Sequence, residues 1–141
     1  MIVVHEKITP NEFSSLRDAS GMKPRSVQAA TIALANTLFM VGLRNDEGAL
    51  IAFGRVVGDG ATSFVVNDIM VDKRYHRQGF GKTIMHHIAL YLDSVASENA
   101  FITLVADLPA DRLYAQFGFI PLNEKTSKAM FRPFTPSNME R

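Results

Sequence analysis

The chain has 141 residues, enough for one domain, 1–141, with its own core. It is 47% hydrophobic and 21% charged with a formal net charge of +1, which excludes a broad basic face for nucleic acid, so any anion site must be local. No cysteine is present, which removes disulfides, thiolate metal sites and a cysteine nucleophile. 

No stretch reaches the ~18 apolar residues of a membrane helix, and the opening residues Met1 to Lys7 lack a secretory-leader layout, so the cytoplasm is the expected setting. Ile2 to Val4 reads as a first strand. Thr9-Pro10-Asn11-Glu12 is a helix start, with Thr as cap, Pro at the first helical position and Glu at the third. That helix is expected to end at Gly21. After the break Lys23-Pro24-Arg25, a second helix spans Ser26 to Asn36 with Val27, Ala30, Ile32 and Ala33 inward. Leu38 to Leu43, Ala49 to Val57 and Thr62 to Val71 read as three antiparallel strands. They are joined by turns at Asn45-Asp46-Glu47-Gly48 and Gly58-Asp59-Gly60.

The third of these strands runs into Asp72-Lys73-Arg74-Tyr75-His76-Arg77-Gln78-Gly79-Phe80-Gly81-Lys82, and then into the clearest helix of the chain. Ile84, Met85, Ile88, Ala89, Leu92, Val95 and Ala96 recur there at helical spacing. A glycine-rich turn opening a helix presents unpaired backbone N–H groups and the positive end of the helix dipole, which suits phosphate. Gly79-x-Gly81 is neither the dinucleotide fingerprint nor a Walker loop. On local composition alone, a tight strand-to-helix turn with solvated cations is an equal reading. Phe101 to Val105 is an apolar run expected to be a buried strand, which with the preceding helix makes a βαβ crossover. Asp111 to Phe117 reads as a short helix stopped by Gly118. Further strands are expected from Phe119-Ile120 and at Ala129 to Arg132, with Pro133 and Pro136 ending regular structure.

Two segments in order carry a resemblance: Val71 followed by His76-Arg77-Gln78-Gly79-Phe80-Gly81-Lys82, and Leu113-Tyr114-Ala115-Gln116-Phe117-Gly118-Phe119. The first resembles the acetyl-CoA pyrophosphate loop of the GNAT superfamily of N-acetyltransferases, Gln/Arg-x-x-Gly-x-Gly/Ala, with His76 standing where the family has Gln or Arg. The second is similar to the family's Leu-Tyr-x-x-x-Gly-Phe segment. The likeness is good over 49–122 and looser at both ends. It implies an α/β (α+β) fold with a mixed sheet of six or seven strands and helices on both faces. It also implies that the strand ending at Val71 and the strand from Phe101 splay apart to admit a pantetheine arm. The cofactor-binding residues it implies are Met70, Val71, His76, Arg77, Gln78, Gly79, Phe80, Gly81, Lys82 and Tyr114.

The implied activity is acetyl transfer from acetyl-CoA to a primary amine by direct attack in a ternary complex. Tyr114 would protonate the departing thiolate, since a phenol can donate to a thiolate at little cost. Asp68 would act as base, with Asp107 a competitor. If its strand is regular, Phe64, Val66, Asp68 and Met70 share a face, and a mid-strand carboxylate must be solvated or paired. Arg55 either sends its head to water or pairs with an acid beside the substrate. His86 and His87 are adjacent, so they point about 100° apart and cannot share a metal as an i, i+4 pair would; no metal is expected. The expected partner is a small-molecule or peptide amine, with no nucleic acid and no membrane; a homodimer is compatible with the chain. The basic segment Arg17 to Ser26 hints at an acceptor that also carries a carboxylate or phosphate, although a solvated loop reads equally well. The competing class is a non-catalytic acyl-CoA-binding module.

Overall fold

The computed structural model describes residues 1–134. Five strands form one sheet in chain order: β1 (Ile2–Val4), β2 (Phe39–Arg44), β3 (Leu50–Gly58), β4 (Ser63–Val71) and β5 (Phe101–Thr103). Each of the first four pairs antiparallel with its neighbour, and β5 lies parallel to β4. Helices α1 (Pro10–Ala19) and α2 (Val27–Ala35) are inserted between β1 and β2. Helix α3 (Phe80–Val95) makes the crossover from β4 to β5, and α4 (Asp111–Ala115) follows β5. No helix among the described residues is long and apolar enough to cross a membrane.

Two cores lie on opposite faces of the sheet. Phe64 and Val66 of β4 belong with Ile84, Met85, Ile88 and Leu92 of α3 and Tyr114 of α4. Phe53 of β3 and Met70 of β4 belong with Phe13 and Leu16 of α1 and Ala30 of α2. The Phe13 and Phe53 rings meet edge to face at 5.4 Å. Gly54 makes the α3 packing close: a Cβ there would come within 2.6 Å of Ile84 and 2.7 Å of Ile69.

The α1 start follows its sequence signal. Thr9 Oγ1 accepts from the Glu12 amide and Glu12 Oε2 accepts from the Thr9 amide, a closed capping box. The helix stops at Ala19, two residues before Gly21 at φ +95°.

Several expectations are corrected. The sheet has five strands in the described residues, not six or seven: neither Phe119-Ile120 nor Ala129 to Arg132 is a strand, and Pro136 falls outside the described residues. Apolar runs of two and three residues lack the turn chemistry that would fix a pairing register. Val27 and Ile32 of α2 face outward, 55% and 65% exposed, while Ala30 is buried. Helix α2 is apolar nearly all round, so its sequence does not say which face turns in. Phe101 and Val105 are 62% and 84% exposed, because β5 is the edge strand and ends at Thr103.

Strand β4 is not regular either. Asp68 has φ +53°, and the β3–β4 register slips between Phe53 and Arg55. One extra residue in β4 is a bulge, and it reverses which side chains face which layer. Phe64 and Val66 therefore point towards α3, whereas Met70 points towards α1. The expected single face of Phe64, Val66, Asp68 and Met70 is split at Asp68.

Candidate active site

Strands β4 and β5 pair only at Ser63–Phe101, Phe64–Ile102 and Val65–Thr103. Beyond Val65 they separate, as the splayed arrangement requires, and the gap opens into a cleft of about 930 Å³. The cleft runs from the loop before α3, past Met70, Val71 and Tyr114, to the mouth between α1 and α2.

At the first end, Asp72 is buried and caps the single 3₁₀ turn Lys73–Tyr75, accepting from the Arg74 amide at 2.9 Å and from its guanidinium at 2.8 Å. Those hydrogen bonds from Arg74, more than the burial that opposes them, hold the Asp72 carboxyl below its ordinary range. His76 Nε2 lies 2.8 Å from the Val71 carbonyl, so this side chain folds back on the strand end and braces the loop. Tyr75 is tied to the β2–β3 turn through its hydroxyl, which accepts from Asn45 Nδ2 at 3.1 Å.

Arg77 and Gly79 both have positive φ, +64° and +82°. Gly79 caps α3 without a side-chain bond, and the first helical amide bonded to it is that of Thr83. The amides of the first turn, Phe80, Gly81 and Lys82, are thus offered outward. The two glycines have different reasons. Nothing lies within 4 Å of a Cβ at Gly79, so its requirement is conformational. A Cβ at Gly81 would sit 3.3 Å from Leu113, so its requirement is the close approach of α4. Of the sequence-predicted cofactor residues, Met70, Val71, His76, Arg77, Gly79, Phe80, Gly81 and Tyr114 line the cleft. Gln78 and Lys82 belong to the same loop but not to the lining.

Tyr114 stands on α4 beside the gap, 9% exposed. Among the described residues its hydroxyl has no hydrogen-bond partner, yet no buried side-chain oxygen is left unsatisfied, so the hydroxyl reaches the cleft. Burial first, and the nearby Asp107 carboxylate second, push its phenol above the ordinary value of 10. It stays protonated through the neutral and mildly alkaline range.

At the other end, the bulge aims Asp68 at the α1 side. Its Oδ1 accepts from Arg17 Nη1 at 2.5 Å and its Oδ2 from Arg55 Nε at 2.6 Å, all three side chains being largely buried. Arg17 Nε also donates to the Lys23 carbonyl at 2.6 Å, and Arg55 Nη1 to Thr37 Oγ1 at 3.1 Å. The Arg17 guanidinium is held below its ordinary value, chiefly by burial, with Asp68 opposing and Arg25 and Arg55 adding repulsion. Sequence reasoning singled out Asp68 and left Arg55 open, but it did not bring Arg17 and Arg55 to one carboxylate. The signal available was Asn67-Asp68 in mid-strand, the residue types that tolerate positive φ. Among the described residues, no group of three or more His, Asp or Glu could hold a metal.

The parallel pair β4–β5 splits beside the glycine-capped start of α3, and the cleft this leaves has Tyr114 in its lining. The family model for the acetyltransferase (GNAT) domain matches residues 35–121, and the chain belongs to that family. It is similar to a solved structure of SA2161 from methicillin-resistant Staphylococcus aureus, described as a probable acetyltransferase. The two are 41% identical, with TM-score 0.87 over 94% of this chain and 98% of the other. It is 26% identical to histone acetyltransferase TAP1 of Glycine max over 77% of this chain, and it spans half the length of that relative. In fold alone it resembles the Escherichia coli N-acetyltransferase YhbS, solved in complex with CoA. There the TM-score is 0.62 at 17% identity, covering 84% of this chain and 68% of the other.

Proposed function

We propose that this chain is an N-acetyltransferase that moves an acetyl group from acetyl-CoA to a primary amine by direct attack in a ternary complex. The observation that carries this reading is the single cleft joining the α3 loop to the arginine-lined mouth, with Tyr114 between its ends. Both reactants can lie in it at once, which replaces a bimolecular collision by an oriented one. The outward amides of the α3 start would take the pyrophosphate, and the open edge of β4 the pantetheine amides.

The Asp72 amide donates to the Ile51 carbonyl across the sheet, so by strand alternation the Val71 amide points into the gap. It would stabilise the oxyanion formed when the amine nitrogen adds to the thioester carbonyl. The N–C bond forms, the C–S bond breaks, and Tyr114 supplies the proton to the leaving thiolate. The Asp68 oxygens are each engaged by a guanidinium, so Asp68 acts through Arg17 and Arg55 as a positioning residue. The proton that the ammonium must lose, given an alkylamine pKa of about 10, leaves through water in the cleft.

The test is a panel of primary amines with acetyl-CoA, following free thiol release and product mass. Amine-dependent thiol release with an acetylated product is expected. CoA binding without transfer to any amine class would replace this reading by a binding module.

A further inference from the structure

We infer that the acceptor is a small amine that also carries an anionic oxygen group, carboxylate or phosphate, and that Arg17, Arg25 and Arg55 receive that group. The inference rests on the acetyltransferase reading and narrows its acceptor.

The charged side chains lining this end of the cleft are Arg17, Arg25 and Arg55 against Asp68 alone. Asp68 neutralises one of the three cations, so the mouth keeps a surplus of positive charge although the whole chain carries only +1. The three guanidiniums are close enough that Arg25 and Arg55 both repel charge on Arg17. Burying cations together is unfavourable unless something compensates. One carboxylate compensates only in part.

The hydrogen-bond inventory points the same way. Arg17 spends Nε on the Lys23 carbonyl and Nη1 on Asp68. Arg55 spends Nε on Asp68 and Nη1 on Thr37 and the Ala33 carbonyl. In each, Nη2 has no acceptor among the described residues. Among the described residues no fully buried side-chain nitrogen lacks a partner, so neither Nη2 is fully buried, and both residues line the cleft. Each guanidinium is therefore held in place through Nε and Nη1 and keeps the Nη2 donors for an incoming oxyanion. Arg25 stands at the rim; its own backbone is fastened to α1, where the Ser14 hydroxyl donates to the Arg25 carbonyl at 2.7 Å. A second cation on the acceptor, as in a polyamine, would meet three like charges.

The test compares kcat/KM for amines of similar length: γ-aminobutyrate for the carboxylate, O-phosphoethanolamine for the phosphate, n-butylamine as neutral, and putrescine as dication. One or both anionic amines should exceed n-butylamine by at least tenfold, with putrescine poorest, and which of the two leads names the anion. Arg25→Gln, at an exposed position, should shrink the anionic-to-neutral ratio several-fold with the melting temperature unmoved. Equal efficiency for n-butylamine and both anionic amines overturns the inference while leaving the acetyltransferase reading in place. Calorimetric titration of the same four amines into protein saturated with CoA is the readout that needs no turnover. Selective binding of an anionic amine without transfer supports the anion site and overturns the enzyme reading. Binding of none, or of all alike, together with no preference in rate, overturns the inference.

Discussion

Arg17 Nη1 stands 2.5 Å from Asp68 Oδ1, and this contact fastens the last turn of α1 to the one residue of β4 that leaves the strand conformation. Asp68 is buried and Arg55 holds its other oxygen, so two cations depend on one carboxylate. Removing one partner of a buried pair leaves uncompensated charge and costs about 3–5 kcal/mol. Asp68→Ala should therefore lower the melting temperature sharply. Asp68→Asn keeps the shape and one acceptor oxygen, so it should fold, though less stably. As a positioning residue, Asp68 should act mainly on the acceptor KM, with acetyl-CoA affinity unchanged and the rising limb of the pH–rate profile in place. A limb that moves upward in Asp68→Asn, with acceptor KM unchanged, would return the base role to this carboxylate.

Tyr114→Phe deletes a hydroxyl that has no partner among the described residues, so the melting temperature should hardly move. Turnover should fall by about 10- to 1,000-fold, as loss of a positioned general acid implies. The deficit should shrink above pH ~8.5, where a free thiolate leaves unaided. Burial first and Asp107 second raise the phenol above its ordinary value, so the wild-type protein should show no falling limb from this acid through neutral and mildly alkaline pH. The folded pKa is raised above the unfolded one. The small contribution of Tyr114 to stability is thus complete below pH 10 and is lost as pH rises through the folded value. Equal turnover in the two proteins at neutral pH would take the catalytic role from Tyr114.

These two residues differ in how far the sequence revealed them. Tyr114 was singled out by the resemblance that Leu113 to Phe119 carries, and the loop from Val71 to Lys82 by its own; the structure brings Tyr114 and most of that loop to one cleft, because short patterns of neighbouring residues fix their own local geometry. The capping box at Thr9 and Glu12 and the α3 stripe through Ile84, Ile88 and Leu92 were legible for the same reason. The partnership of Asp68 with Arg17 and Arg55 was not, since it depends on a bulge that aims one side chain across the sheet. A regular period of two placed Asp68 with Phe64, Val66 and Met70, and one extra residue changed the layer. Helix α2 failed for lack of contrast: with Val27, Ala30, Ile32 and Ala33 all apolar, only packing chose Ala30. The run Phe101 to Val105 looked like interior strand because its sequence records apolar character, whereas exposure at Val105 follows from the split beyond Val65.

The loop glycines give a paired prediction. Gly79 has φ +82° with open space around it, so Gly79→Ala meets backbone strain of about 1–2 kcal/mol and no clash. It should reduce CoA affinity by re-aiming the amides of the first turn. Gly81 has no such φ, but its Cβ would press on Leu113, and Leu113 precedes Tyr114. Gly81→Val should therefore weaken CoA binding and also disturb α4, lowering turnover beyond what the affinity explains. Calorimetry with CoA and single-turnover rates separate the two effects. Unchanged CoA affinity in a folded Gly81→Val protein would sink the pyrophosphate assignment of this loop.

The last prediction concerns acid stability and lies away from the cleft. The His87 ring sits 5.7 Å from that of His5 and 5.7 Å from that of His86, near the Phe39–Tyr91 stack. Burial first, and then His5 and His86, hold its imidazole below the ordinary 6.5. The unfolded chain accepts a proton on this residue at a higher pH than the folded one does. In the window below 6.5 the unfolded state therefore binds more protons, and stability rises with pH. The contribution is complete above 6.5 and declines as pH falls towards the lowered folded value. His87→Gln removes the titrating group while keeping a polar side chain of similar length. Melting temperatures measured from pH 7.5 down to pH 5 should fall less steeply in His87→Gln than in the wild-type chain, with the curves parallel above pH 7. Parallel curves across the whole range would show that His87 titrates alike in the folded and unfolded chains.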